Sequence, residues 1–244
     1  MRHAPNQTGA PLVKICGLRA PEQVTWVRQS GADLAGLVFA PSRRRVTIAE
    51  AQAIAAANRC PRDGAPDMGG AGTPPLLVGV FVDAPPDEIA HIAAACGLDF
   101  VQLSGHETPD QCAALVQRGL RVIKTLHIGP DAAAPAVLAD LTHHAQAGAT
   151  MILLDTATAQ GGGSGQPFDW TIARDVVAAA PVPVLLAGGL TLCNVAAAVA
   201  MVQPFGVDIS SGVETDGAKD RAKMMRFVVA ARTGRASIIS EGET

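Results

Sequence analysis

Short apolar runs alternate along the chain with alanine-rich stretches in helical spacing, and a small or polar turn separates each pair. Eight such units can be counted, with strand-like runs at Leu12–Cys16, Leu34–Phe39, Leu76–Val82, Phe100–Leu103, Arg121–Leu126, Met151–Asp155, Val182–Ala187 and Gly206–Ser210. Candidate helices follow them, among them Pro21–Ser30, Ile48–Asn58, Pro86–Cys96 and Asn194–Met201. Strict alternation predicts a parallel α/β sheet, and near-continuous apolar strands predict that both of its faces are covered. Closure into a single (β/α)8 TIM barrel is the economical arrangement of eight units; a doubly wound open sheet is the rival.

The barrel is expected over 12–232. The polar ends, 1–11 and 233–244, have little to bury and are expected to lack order. A Gly- and Pro-rich insertion at about 59–75 follows the second helix and is expected to be flexible. Helix-to-strand connections of such a barrel lie opposite the active face, so this insertion should take no part in chemistry.

Composition narrows the partners. A chain of 244 residues, 48% hydrophobic and 17% charged with a net charge of −3, describes a compact protein without a single-sign field. Nucleic acid is therefore not expected, and the Arg43-Arg44-Arg45 triplet suits a small anion better than a polyanion. The five cysteines are scattered without a C-x-x-C pair, so neither a disulfide framework nor a metal site is expected, and a cytoplasmic location fits. No run approaches a membrane span. Neither monomer nor homodimer is favoured.

Active sites of such barrels gather at the carboxyl ends of the strands, which singles out Cys16, Arg44, Asp155, Gly188 with Gly189, and Asp208 through Gly212. Strand parity sends Lys14 and Cys16 into the barrel and Val13 and Ile15 toward the helices; Asp155 shares its face with Met151 and Leu153, and Asp208 with Ser210. A lysine beside a cysteine favours the thiolate. Glycine-rich connections follow strands six (Gln160 to Gly165), seven (Ala187 to Thr191) and eight (Ser210 to Val213), where backbone N–H groups can approach an anion closely. A phosphorylated small molecule is the expected occupant.

The segments Val13-Lys14-Ile15-Cys16-Gly17, Ser42-Arg43-Arg44-Arg45-Val46, Val101-Gln102-Leu103, Leu154-Asp155, Gly162-Gly163-Ser164-Gly165, Leu186-Ala187-Gly188-Gly189-Leu190 and Gly206-Val207-Asp208 with Ser210-Ser211-Gly212-Val213-Glu214 together resemble the phosphoribosylanthranilate isomerases of tryptophan biosynthesis, in order and over nearly the whole chain. The resemblance implies a cofactor-free Amadori rearrangement of N-(5-phosphoribosyl)anthranilate. Under it Asp155 is the general acid that opens the ribose ring and Cys16 the base that removes the C2′ proton. It further implies that Arg44 holds the anthranilate carboxylate, that Gly188, Gly189, Ser211 and Gly212 form the phosphate cup, and that Asp208 lies near the sugar. This division predicts a raised pKa for Asp155 and a lowered one for Cys16. One position departs: Ser104 stands where the family usually has histidine, and His106 could fill some of that space.

Each residue also has a plainer reading. Taken alone Cys16 is a buried core thiol, Asp155 and Asp208 are turn or cap residues, and the arginine run is a solvated face, the expectation for Arg43 and Arg45. Rival functions are a histidine-pathway ribosyl-amine isomerase, which begins with aspartate where Cys16 stands, and a non-catalytic phosphate-binding barrel.

Overall fold

The computed structural model describes residues 9–59, 73–157 and 169–239, with side chains as far as Gly234. Eight strands close into a parallel barrel in chain order: β1 Leu12–Cys16, β2 Leu34–Val38, β3 Leu76–Phe81, β4 Phe100–Leu103, β5 Val122–Ile128, β6 Met151–Thr156, β7 Val184–Leu186 and β8 Gly206–Ile209, with β8 pairing back onto β1. Helices α1 Pro21–Ser30, α2 Ile48–Arg59, α3 Pro86–Cys96, α4 Pro109–Gln117, α5 Ala134–Gln146, α6 Trp170–Ala179, α7 Val195–Val202 and α8 Arg221–Ile239 follow the strands in turn. After β8 the chain makes a 3-10 turn, Ser211–Val213, and a small antiparallel pair, β9 Glu214–Thr215 with β10 Ala218–Lys219.

Local chemistry explains where the helices begin and end. α1 opens on a proline and closes on Gly31 at φ 76°, the left-handed region that glycine enters without steric cost. α4 is fixed by a reciprocal cap: the Gln111 amide N–H donates to Thr108 Oγ1, and the Thr108 amide N–H donates to Gln111 Oε1.

The strand alternation places the core in layers, as parity predicts. Val13, Ile15, Ala35, Leu37, Val101 and Ile152 belong to the cluster between strands and helices. Leu34, Val78, Phe100, Ile123, Met151, Leu153 and Leu185 fill the barrel interior, and Cys16, Val38, Ala40 and Val80 cover that filling toward the carboxyl ends. The interior is therefore a packed floor on which the mouth rests.

Several boundaries differ from expectation. β5 runs on to Ile128, because it stays paired with β6 as far as Ile128 opposite Thr156. β7 is only Val184–Leu186. α8 enters the C-terminal segment expected to lack order and continues to Ile239; Gly234 lies against the Ala196 backbone, so the absence of a side chain there lets α8 pack closely on α7. Residues 1–8, most of the insertion (60–72), the strand-six glycine loop (158–168) and 240–244 lie outside the described residues. Among the described residues no helix is long and apolar enough to cross a membrane.

Two buried lysine–carboxylate pairs involve the barrel strands, while a third, Lys219–Glu214, lies beyond β8. Lys14 Nζ lies 3.0 Å from Asp208 Oδ1 at the barrel mouth, with side chains 0% and 11% exposed. Lys124, of opposite parity to the interior residue Ile123, pairs with Glu107 at 2.6 Å on the helix side of β5, with side chains 3% and 1% exposed. Glu107 also accepts from the Asp83 and Gly105 amides, and Lys124 donates to the Gly105 carbonyl, so this pair clamps the β4–α4 connection.

Candidate active site

The carboxyl ends of the strands enclose a cleft of about 200 Å³. Every described residue singled out from the sequence borders it: Cys16 from β1, Arg44 after β2, Asp155 from β6, Gly188 and Gly189 after β7, Asp208 from β8, and Ser211 and Gly212 beyond. Ser104 lines it as well. His106 does not: its ring is 97% exposed and sits on Asp83 outside the cleft.

Cys16 ends β1 and is buried, with Gly36 of β2 alongside; a Cβ there would come within 2.8 Å of the Cys16 sulfur, so glycine makes room for the thiol. The thiol is held above its usual pKa, opposite to the expectation. Burial is the largest cause and the Asp208 charge adds to it, while Lys14 and Lys219 pull the other way. Burial also works against the Lys14 ammonium, yet Asp208 and Cys16 outweigh it and hold Lys14 above its ordinary value. Lys14 thus keeps its charge but shares it between two groups.

Asp155 behaves as expected. Burial, followed by the Asp208 charge, pushes its carboxyl up to about 6, against lesser opposing effects of His127, the Thr156 amide and Lys14. Its Oδ1 accepts from the Thr156 N–H at 2.8 Å. Gly188 is required beside it: a Cβ there would collide with Thr156 and reach 3.0 Å from Asp155 Oδ1, and the residue sits at φ 81°. Gly189 follows at φ 65°. Gly212, in the turn after β8, has the Leu190 carbonyl so close that a side chain would not fit. The two glycine turns therefore face each other with bare backbone, the geometry in which amide N–H groups receive an anion.

Arg44 is positioned by a partner that sequence reasoning left unassigned. Its Nε and Nη2 donate to the two carboxylate oxygens of Glu214 at 2.6 and 3.0 Å. Arg43 and Lys219 converge on the same carboxylate at 2.7 and 2.9 Å. Burial of Glu214 opposes its charge, but hydrogen bonds from Arg44 and Lys219 prevail and hold it at about 2. One edge of the Arg44 fork is thus occupied, which orients the guanidinium beside the cleft it lines. Gly17, at φ 83°, lies under the Arg44 stem where a Cβ would clash. Arg43 is 59% exposed but tied to Glu214, so it is more than a solvated charge.

Two further residues were missed. Gln102 is 4% exposed, lines the cleft and donates from Nε2 to Ser104 Oγ and Thr125 Oγ1; its Oε1 has no protein partner. His127 lines the cleft near the end of β5, one residue past the strand-like run Arg121–Leu126. Its parity with Thr125 and Ile123 was the available signal. Among the described residues no cluster of three or more His, Cys, Asp or Glu side chains could hold a metal.

Comparison with known proteins identifies relatives of the whole barrel. The family model described as N-(5'phosphoribosyl)anthranilate (PRA) isomerase matches residues 13–230. The N-(5'-phosphoribosyl)anthranilate isomerase of Dehalococcoides mccartyi is 41% identical over 224 residues, spanning 88% of this chain and 93% of that protein. Among solved structures, phosphoribosyl anthranilate isomerase from Thermotoga maritima superposes with a TM-score of 0.76 at 33% identity, covering 91% of this chain and 99% of its own. A phosphoribosyl anthranilate isomerase in complex with reduced 1-(o-carboxyphenylamino)-1-deoxyribulose 5-phosphate gives 0.73 at 30% identity, with coverage of 91% and 99%.

Proposed function

The chain belongs to the N-(5'-phosphoribosyl)anthranilate isomerase family, and from that premise we propose how its cleft divides the reaction. It is an isomerase of tryptophan biosynthesis that converts N-(5'-phosphoribosyl)anthranilate, a phosphorylated small molecule, to the carboxyphenylamino-deoxyribulose phosphate. The histidine-pathway and non-catalytic alternatives are not favoured by these relatives.

Asp155 is the general acid. Its O–H protonates the ribose ring oxygen, the C1′–O bond breaks, and the nitrogen lone pair forms an iminium at C1′. Cys16 is the base: its thiolate takes the C2′ proton, and the C–H electron pair becomes the C1′–C2′ double bond of an enolamine, which tautomerises to the ketone. Burial keeps most of the thiol protonated in the free site, so the iminium charge next to C2′ does part of the work of favouring thiolate attack. Arg44, braced by Glu214, receives the anthranilate carboxylate; the turns at Gly188-Gly189 and Ser211-Gly212 receive the phosphate; Asp208, held by Lys14, stands beside the sugar. The observation that carries this reading is one cleft holding a carboxyl raised to about 6 together with a thiol flanked by Lys14.

The test is loss of substrate fluorescence with purified protein. Cys16→Ala and Asp155→Asn should each lower turnover by at least about 100-fold; full activity in either sinks the assignment. The pH profile supplies a second arm. The reactive state carries one proton on the pair, on Asp155 and not on Cys16. Below about 6 both groups are protonated and kcat/KM should fall; above it a constant minor fraction is productive until the raised thiol itself titrates. A profile that falls as pH rises through 6 would contradict this pairing.

A further inference from the structure

Among the described residues of the cleft, His127 is an ionisable side chain that this chemistry leaves unused. The extension of β5 brings it to the mouth, and its Cα pairs with that of Asp155 on β6. Paired residues on adjacent strands, about 4.8 Å apart, point to the same face, so imidazole and carboxyl leave the sheet side by side. His127 Nε2 lies 3.0 Å from the Ser104 carbonyl oxygen. A carbonyl only accepts, so Nε2 carries the hydrogen; this fixes the tautomer and makes Nδ1 the atom that gains and loses a proton. The residue is exposed yet lines the cleft, whereas Asp155 is largely covered.

Among the described residues the groups around it are few. Ser104, just after β4, and Asp155 on β6 flank it, Asp208 and Lys14 pair with each other at the mouth, and Lys124 with Glu107 is spent on the far face of β5. Of the described titratable groups bordering the cleft, Arg44 does not release its proton, Cys16 is buried, and Asp208 is engaged by Lys14. An imidazole is the side chain that trades protons with water near neutrality. Such a group is needed, because each turnover leaves Asp155 as a carboxylate beneath bound product.

We propose that His127 is a relay and positioning residue that returns a proton to Asp155 after each turnover. The Nδ1–H bond of the imidazolium breaks, an O–H bond forms on the Asp155 carboxylate directly or through one water, and the neutral imidazole takes its next proton from solvent. The inference rests on the acid role of Asp155.

The test uses the full chain at pH 6, where wild-type turnover and its loss in Asp155→Asn first establish that role independently. His127→Ala and His127→Gln are then compared in rapid-mixing and steady-state assays. Both should lower steady-state kcat by about 10-fold, less than the loss of the acid itself, while the first turnover keeps nearly the wild-type rate and appears as a burst. Added imidazole should restore the alanine variant. The glutamine amide can still donate to the Ser104 carbonyl, so recovery by glutamine would show a purely structural bond and overturn the relay. Unchanged kcat in both variants, or a first turnover slowed as much as the steady state, would overturn it as well.

Discussion

The two buried lysine–carboxylate pairs of the barrel strands look alike by distance and differ in everything that surrounds them. Lys124–Glu107 is closed: its carboxylate takes two backbone amides besides the ammonium, and its ammonium takes a carbonyl. Lys14–Asp208 is open: Asp208 borders the cleft, and Cys16 and Asp155 both feel the pair's charges. A pair whose hydrogen-bonding capacity is used up fixes a loop; one with capacity to spare sets the ionisation of its neighbours.

The sharpest way to break this contrast is Lys124→Met, which strands a charged Glu107 in the interior. Unfolding by urea should show a loss of about 3–5 kcal/mol, and the double variant with Glu107→Leu should recover most of it. A loss no larger than that of a surface substitution would mean the pair is not a clamp.

Next in size is a gain. The folded-state pKa of Asp155 rises from 3.8 to about 6, so the folded protein binds more protons than the unfolded chain in that window and loses stability as pH rises through it. At 1.36 kcal/mol per unit the deficit above pH 6 is at most about 3 kcal/mol. Asp155→Asn should therefore be more stable than wild type at pH 8, with an advantage that shrinks as pH falls through about 6 and is gone by about 4; an advantage independent of pH would show that burial of the charge is not its source.

Lys14→Met addresses the open pair. Turnover near neutrality should fall by about 10-fold as the thiol moves further up, with a smaller stability loss than Lys124→Met because Asp208 still meets water in the cleft. Equal stability losses would erase the distinction between the pairs. The smallest effect on catalysis is expected from Glu214→Gln, which loosens the brace on Arg44, itself partly exposed, although Lys219 also loses its charge partner: KM should rise about threefold at unchanged kcat. A change confined to kcat would place Glu214 in the chemistry instead.

Most of the fold was legible because each parallel strand is wrapped in helices and reads as an uninterrupted apolar run; β1, β4 and α3 fall at the predicted residues. β5 was ended at Leu126 because His127 looks like the polar end of a strand, when it lines the cleft and the strand continues to Ile128. The site residues were legible through their places at strand ends. The direction of the Cys16 shift was not, since the sequence displays the neighbouring lysine charge but neither the burial opposing it nor the aspartate that shares it. Glu214 was hidden for a related reason: it lies about 170 residues from the arginine it braces, and no local pattern joins them.

That separation bears on how the protein comes into being. β1 is bonded to β8, and Lys14 meets Asp208 across 194 positions of sequence. During synthesis the first strand and its lysine leave the ribosome long before their partners exist, so an emerging chain carries an unpaired strand edge and an ammonium with nothing to answer it. The closing seam of the barrel and the catalytic end are completed by the same late contact, which makes the appearance of activity a direct clock for the last step of folding.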